Sequence, residues 1–319
     1  MPEHVYELGT VEASEAIIQD LYLSLRSQLF KWSRVTKQTP QPKMGYIGQH
    51  LTSVVTGYPG GRSGARGKDL VLPGGDSAEI KTCYRVDQLG SCNACGSVVA
   101  SVETECAVCG SENVERKDDS KWLLSPRHDA EMRAFFDPKA YYFVLFDFED
   151  LNDPTTINVR IWEVDPRSPG FVYCMVDYYG NIRSRSSSKA PFNLWPFSLK
   201  FQLMRPTLIY KSTIDSDNNI ETHIFPGQRG EPATMPLAPL TQFKRSTGFT
   251  LSMAEAIATR FVSERLEPMP KGTLLDLLQT IREYGAWDED ELASVVRNSM
   301  YRPLIEAHGQ WLPSELQLR

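Results

Sequence analysis

Asp69, Glu79 and Lys81 are the residues whose types and spacing suit phosphoryl chemistry. In a strand, side chains alternate, so Glu79 and Lys81 share one face while Ile80 turns into the core. Asp69, placed on a neighbouring strand, reaches the same face. Two carboxylates converging there, with the main-chain carbonyl of Ile80, form an all-oxygen donor set for a hard divalent cation such as Mg2+. Such a cation polarises a phosphoryl oxygen and lowers the pKa of a bound water. Lys81 then orients or deprotonates that water and offsets charge in the transition state. An Asp followed at a distance by Glu-x-Lys is a common string, so its weight depends on what surrounds it.

A second constellation follows at once. Cys92-Asn-Ala-Cys95-Gly96 and Cys106-Ala-Val-Cys109-Gly110 are matching knuckles with ten residues between them. The glycine after each Cys-x-x-Cys tolerates the left-handed turn that the knuckle needs. Four thiolates with no further ligand describe a closed tetrahedral structural site for Zn2+. The chain opens without a basic-then-apolar leader, which favours metal over disulfides and a cytoplasmic location. Cys83 and Cys174 lie in apolar, strand-like runs and read as buried thiols.

The elements that position these groups can be read from periodicity. Ile17, Leu21, Leu25 and Leu29 recur at helical spacing across residues 11–33, with Thr10 or Ser14 as cap. A Pro-containing linker at 39–42 ends that segment, and a second helix is expected over 46–56, with Ile47, Leu51, Val54 and Val55 on one side. A Gly- and Arg-rich loop follows over 57–67. Residues 69–72 and 78–83 flank Pro73-Gly74-Gly75, the pattern of a β-hairpin. A phosphate-binding P-loop over 60–68 is excluded, because Arg62 stands where its first glycine belongs and Asp69 where its Ser or Thr belongs.

Beyond the knuckles, Ser125-Pro126 opens a helix expected to reach about 136. The aromatic and β-branched run 141–148 reads as a strand buried on both faces. Further strands are expected over 157–164, 171–178 and 199–210. The C-terminal region reads as helical, with capping pairs Ser252 and Glu255, Thr273 and Asp276, and Asp288 and Glu291. The histidines show no metal or nucleophile spacing.

Net charge is −6, which by itself argues against a polyanionic partner. Its distribution argues the other way. Between 21 and 68 there are eight basic residues and no acid; between 178 and 214 there are six basic residues and again no acid. The remainder holds twenty basic and forty acidic residues. An acidic body with two basic segments suits a protein that meets a polyanion on one face. Arg62, Arg66 and Lys68, then Arg183, Arg185, Lys189 and Arg205, are the candidate DNA contacts, and Asn193, Gln202 and Arg205 the candidate base readers. Arg116, Lys117 and Lys121 would help the knuckle segment if it touches DNA. No apolar run is long enough for a membrane span, and no small-molecule cofactor is expected.

The order of elements (helix, loop, two antiparallel strands bearing the acids, helix, buried strand) resembles the αβββαβ core of the PD-(D/E)xK nuclease superfamily. Lys68-Asp69 stands where the motif's Pro-Asp would be. The superfamily often takes a further acid from the helix before the hairpin; Gln49 occupies that helix here, with Asp76 as another acid in the turn. With the knuckles following directly and Arg116-Lys117-Asp118-Asp119-Ser120-Lys121-Trp122 after them, residues 45–136 resemble type II restriction endonucleases of the MamI kind. The resemblance implies an α/β restriction-endonuclease-like core over 45–225, a zinc ribbon inserted at 90–119, an N-terminal helical segment over 1–44 and a helical region over 226–319. It implies a Mg2+-dependent homodimer that cuts double-stranded DNA at an interrupted palindromic site and leaves 5′-phosphates. A structure-specific repair or junction nuclease and a non-cleaving zinc-ribbon DNA-binding regulator are the alternatives.

Overall fold

The hairpin forms one edge of a six-stranded sheet. The computed structural model of the chain describes residues 6–61, 68–117, 119–187, 190–196, 198, 200–201, 204–225 and 302–317. β1 (Leu70–Val71) pairs antiparallel with β2 (Ser77–Tyr84), and β2 pairs parallel with β7 (Ala140–Asp150) from Ala78 opposite Ala140 to Tyr84 opposite Phe146. β8 (Asp153–Val164) follows β7 after a two-residue turn, which only antiparallel neighbours can use. β10 (Thr207–Ile214) and β11 (Ile220–Ile224) complete the sheet as antiparallel strands, giving the order β1-β2-β7-β8-β10-β11. A parallel pair needs a long crossover, and here the ribbon lies within it. Residues 140–148 are buried throughout, as expected for a strand covered on both faces.

Three α-helices and one π-helical stretch precede the hairpin. α1 (Val11–Ile17) is capped by Thr10, whose hydroxyl accepts from the Ala13 N–H at 3.2 Å. A π-helical stretch, Ile18–Ser24, leads into α2 (Leu25–Thr36), so the expected single helix carries a wider turn in its middle. Ile18 and Tyr22 of that stretch are fully buried. α3 (Met44–Thr56) buries Ile47, Leu51, Val54 and Val55 and ends on Gly57, whose φ of 76° closes the helix. It packs on β2, and Ile80, Tyr142, Val144 and Phe146 join its apolar face in one core.

The ribbon is a separate three-stranded sheet with β3 (Leu89–Cys92) between β4 (Val98–Ala100) and β5 (Val114–Glu115). Its small core is Cys92, Val99 and Cys106, with Val108 and Val114 against it. So few apolar side chains cannot hold a fold alone, which is why the four cysteines matter.

The chain forms two compact units. Of the described residues, those within 1–121, 140–163 and 207–231 make up one, and those within 122–139, 164–206 and 232–319 the other. Within the second, β6 (Trp122–Leu124) pairs antiparallel with β9 (Phe192–Leu194), and Trp122 packs on Phe201 with ring centroids 4.8 Å apart. Its helices include α4 (Asp129–Ala134), α5 (Pro169–Asp177), α6 (Arg302–His308) and α7 (Ser314–Gln317).

Three local expectations are corrected. Residues 171–178 are not a strand: 169–177 form α5, with Ser168 as cap and Pro169 at its first turn. Every residue from 170 to 177 is buried, and an apolar run buried on all sides has no period to distinguish helix from strand. The strand expected from 199 begins only at Thr207, because Arg205 takes a left-handed φ of 52° and Pro206 follows. α4 begins at Asp129 rather than at Pro126, with His128 accepting from the Glu131 N–H. The helices expected after Ser252, Thr273 and Asp288 lie outside the described residues. Among the described residues, no helix is long and apolar enough to cross a membrane.

Candidate active site

The β1–β2 register, Leu70 opposite Ala78, sets Asp69 across from Glu79 just beyond the end of β1. One carboxylate oxygen of Asp69, Oδ2, accepts the Ile80 N–H at 2.8 Å; the other, Oδ1, accepts Gln49 Nε2 at 3.0 Å. Lys81 Nζ bonds Glu79 Oε1. All three expected side chains therefore gather on one side of the hairpin, and Ile80, 6% exposed, points the other way into the core. In an extended strand the N–H and C=O of one residue leave by the same edge. The Ile80 carbonyl thus leaves β2 on the side of Asp69.

The electrostatics of this corner call for a cation. Burial raises the Asp69 carboxyl above its ordinary value, and the Glu79 charge raises it further, against the hydrogen bonds from Ile80 and Gln49 and the Lys81 charge. Glu79 Oε2 is buried and has no hydrogen-bond partner. A buried carboxylate oxygen with nothing to accept is costly to maintain, and a hard cation shared with Asp69 would satisfy it. The donor set fits Mg2+.

The chain also determines how close α3 comes. A Cβ on Gly48 would lie 2.0 Å from Thr82 Oγ1, so only glycine lets the helix rest on β2 here. On the other side, Gly61 N–H donates to the Asp69 carbonyl at 2.8 Å, and a Cβ on Gly61 would lie 1.7 Å from the Lys68 carbonyl oxygen. Gly61 and Lys68, which flank 62–67, therefore meet beside Asp69. Arg62 and Arg66 lie between them, outside the described residues; Lys68 is exposed.

In the ribbon, Cys92 and Cys109 sulfurs are 3.6 Å apart and Cys95 and Cys106 sulfurs 3.7 Å apart. All four lie within 4.8 Å of one another, a cluster that could hold one metal ion. The two knuckles repeat each other in their bonds: Gly96 N–H to the Cys92 carbonyl and Gly110 N–H to the Cys106 carbonyl, both 2.8 Å. Gly96 and Gly110 have φ of 73° and 75°, the left-handed turn expected of them. Between residues 90 and 115 there is no basic residue, and there are four glutamates.

Two of those glutamates change the reading of the first basic segment. Arg26, on α2, is buried and bonded to Asp87 and Glu103; Arg34 is bonded to Glu105. These two cations hold the N-terminal helices to the base of the ribbon. In the second segment Lys200 is buried, 5.0 Å above the Phe192 ring, while Arg185 and Arg205 are exposed and Arg183 is half-buried. Lys189 and Gln202 lie outside the described residues; Asn193 is in β9. An absence of acids along the sequence thus does not make every base in it a surface charge.

Sequence reasoning noted Gln49 only as a missing acid and overlooked its bond to Asp69. It also overlooked the Arg26 cluster, whose partners lie 61 and 77 positions away.

The chain falls within the restriction endonucleases. A family model described as MamI restriction endonuclease matches residues 31–239, and the chain belongs to that family. It is similar to the type II restriction enzyme MamI of Microbacterium ammoniaphilum, with 23% identity over 166 residues, 50% of this chain and 47% of the relative. The match thus spans about half the length of that relative. No solved structure matches the chain.

Proposed function

We propose that the chain is a type II restriction endonuclease that hydrolyses double-stranded DNA, with Asp69, Glu79 and the Ile80 carbonyl holding Mg2+. The observation that carries this reading is Glu79 Oε2, a buried carboxylate oxygen without a partner, facing the same corner as Asp69. When bound, the cation supplies Lewis-acid polarisation of the scissile phosphate and a more acidic water. Asp69 and Glu79 bind it and fix its place. Lys81 holds Glu79 Oε1, orients the attacking water and carries positive charge toward the developing charge on phosphorus. Arg62, Arg66 and Lys68 contact phosphates, as do Arg183, Arg185 and Lys189, while Arg205 reads a base edge. The hairpin, α3 and β7 are read as parts of an αβββαβ core. The protein acts as a homodimer on an interrupted palindrome, since a two-fold protein reads a two-fold site.

The four-cysteine cluster holds a structural Zn2+ in this reading. Four glutamates and no base from 90 to 115 speak for a staple rather than a DNA-contacting arm. Incubation of the purified protein with plasmid DNA of known sequence and Mg2+, followed by end mapping, tests the function. Discrete fragments with 5′-phosphate ends, abolished by EDTA and reduced about 100-fold or more in Asp69→Ala, Glu79→Ala and Lys81→Ala, are expected. Cleavage that persists in Glu79→Ala, or none with Mg2+ or Mn2+ on any DNA, overturns the reading.

A further inference from the structure

Gln49 lies within α3 and reaches across to the catalytic corner, where its Nε2 donates to Asp69 Oδ1. With the Ile80 N–H on Oδ2, the Asp69 carboxylate is held at both oxygens by donors from two different elements. It cannot turn about its Cβ–Cγ bond without losing one of them. An ionised carboxylate has about four acceptor positions, so each oxygen keeps a lone pair for a cation. The contact between Gly48 and Thr82 fixes how far Gln49 must reach. The amide is also neutral. Asp69, Glu79 and Lys81 together leave one net negative charge, which one divalent cation already reverses.

We propose that Gln49 is a positioning residue that fixes the Asp69 carboxylate and, being neutral, limits the corner to one divalent cation. The proposal rests on the nuclease reading of Asp69, Glu79 and Lys81. Its physical basis is that a carboxylate locked by outer hydrogen bonds binds a metal without first losing rotational freedom, and that a second ion would require another negative charge beside Asp69. Lys81 lies on the Glu79 side and supplies the opposite sign, so the α3 side is where a further charge would act.

Mn2+ binding by the full-length, zinc-loaded chain, followed by electron paramagnetic resonance, is the test, with cleavage measured alongside. The wild type should bind one Mn2+ per chain that Asp69→Ala does not bind. Gln49→Met, similar in length but without a donor, should keep its circular dichroism spectrum and bind that ion about 10- to 100-fold more weakly, with a parallel loss of cleavage. Gln49→Glu should bind a second Mn2+. A Gln49→Met chain that binds as tightly as the wild type overturns the positioning role. Two ions on the wild type, or only one on Gln49→Glu, overturn the limit to one. Equal binding by the wild type and Asp69→Ala is a different failure: it removes the metal corner itself, whatever Gln49 does.

Discussion

Gly48 of α3 rests directly on Thr82 of β2: a methyl group on Gly48 would stand 2.0 Å from the threonine hydroxyl and 2.9 Å from its methyl. Replacing a mid-helix glycine by alanine ordinarily favours the helix by about 1 kcal/mol. Here the clash is with a half-buried threonine whose hydroxyl oxygen is itself buried, on a strand paired on both sides, and overpacking of that kind costs about 1–3 kcal/mol. Gly48→Ala should therefore lose stability in urea unfolding and lose cleavage, since Gln49 moves with the helix. Thr82→Ala in the same chain should restore part of both. A neutral or stabilising Gly48→Ala would show that α3 does not sit where Gln49 needs it.

The Arg26 cluster predicts an unusual response to pH. Burial pushes the Asp87 carboxyl up to about 6, more than the neighbouring Arg26 charge and hydrogen bond lower it, and Asp87 Oδ2 lacks a partner. Burial moves Glu103 in the same direction. The folded value lies above the unfolded value of about 3.9, so protonation favours the fold. The stability from this shift is present below about pH 4 and is lost as pH rises through 6, a difference of up to about 3 kcal/mol. Between pH 7 and pH 5 the wild type should therefore gain stability relative to Asp87→Asn. The opposite sign in urea titrations at the two pH values would mean that the Arg26 charge outweighs burial. Arg26→Ala leaves the buried Asp87 and the half-buried Glu103 without their cation and should cost about 3–5 kcal/mol at pH 7.

For the ribbon, metal analysis should return about one zinc per chain, because four thiolates make one tetrahedral site. Cys106, 1% exposed, is the ligand whose loss should damage folding most. Cys106→Ser should lower soluble yield and thermal midpoint before it alters cleavage by the fraction that folds. Full activity and an unchanged melting curve in a zinc-free preparation would remove the staple.

Charge placement separates the basic residues by their expected effect on DNA binding. Each phosphate contact contributes about −0.9 to the slope of log K against log salt. Arg185→Ala, at an exposed position, should weaken binding to every sequence and flatten the slope by about one contact. Arg205→Ala should relax sequence preference with the slope nearly kept. Lys200→Met should leave the slope alone, because that ammonium is buried over Phe192. A slope that falls equally in all three variants contradicts this division.

What could be read from the sequence was what is local in it. The hairpin, α3 and the twin knuckles were legible because turn residues, helical spacing and Cys-x-x-Cys-Gly are short-range patterns. The strand over 141–148 was legible from its β-branched and aromatic content, whereas α5, equally buried, was not, since full burial erases the period on which such a reading depends. The acid-free segment around α2 reads as a surface for phosphate, but Asp87, Glu103 and Glu105 occupy Arg26 and Arg34. Gln49 could be placed on its helix but not against Asp69, because the helix-to-strand distance depends on Gly48 meeting Thr82, a tertiary contact.

The close approach of Gly61 to Lys68 turns the entrance to the hairpin into a socket. Residues 62–67 are attached at a base already held by the bond from Gly61 to the Asp69 carbonyl and the bridge from Gly60 to Leu70. Whatever is spliced between those two points hangs from a fixed stem, and doubling its length costs only about 0.6 kcal/mol of closure entropy. Evolution, or an engineer, can therefore exchange the insert for a longer or differently charged one while Asp69 stays in register with Glu79.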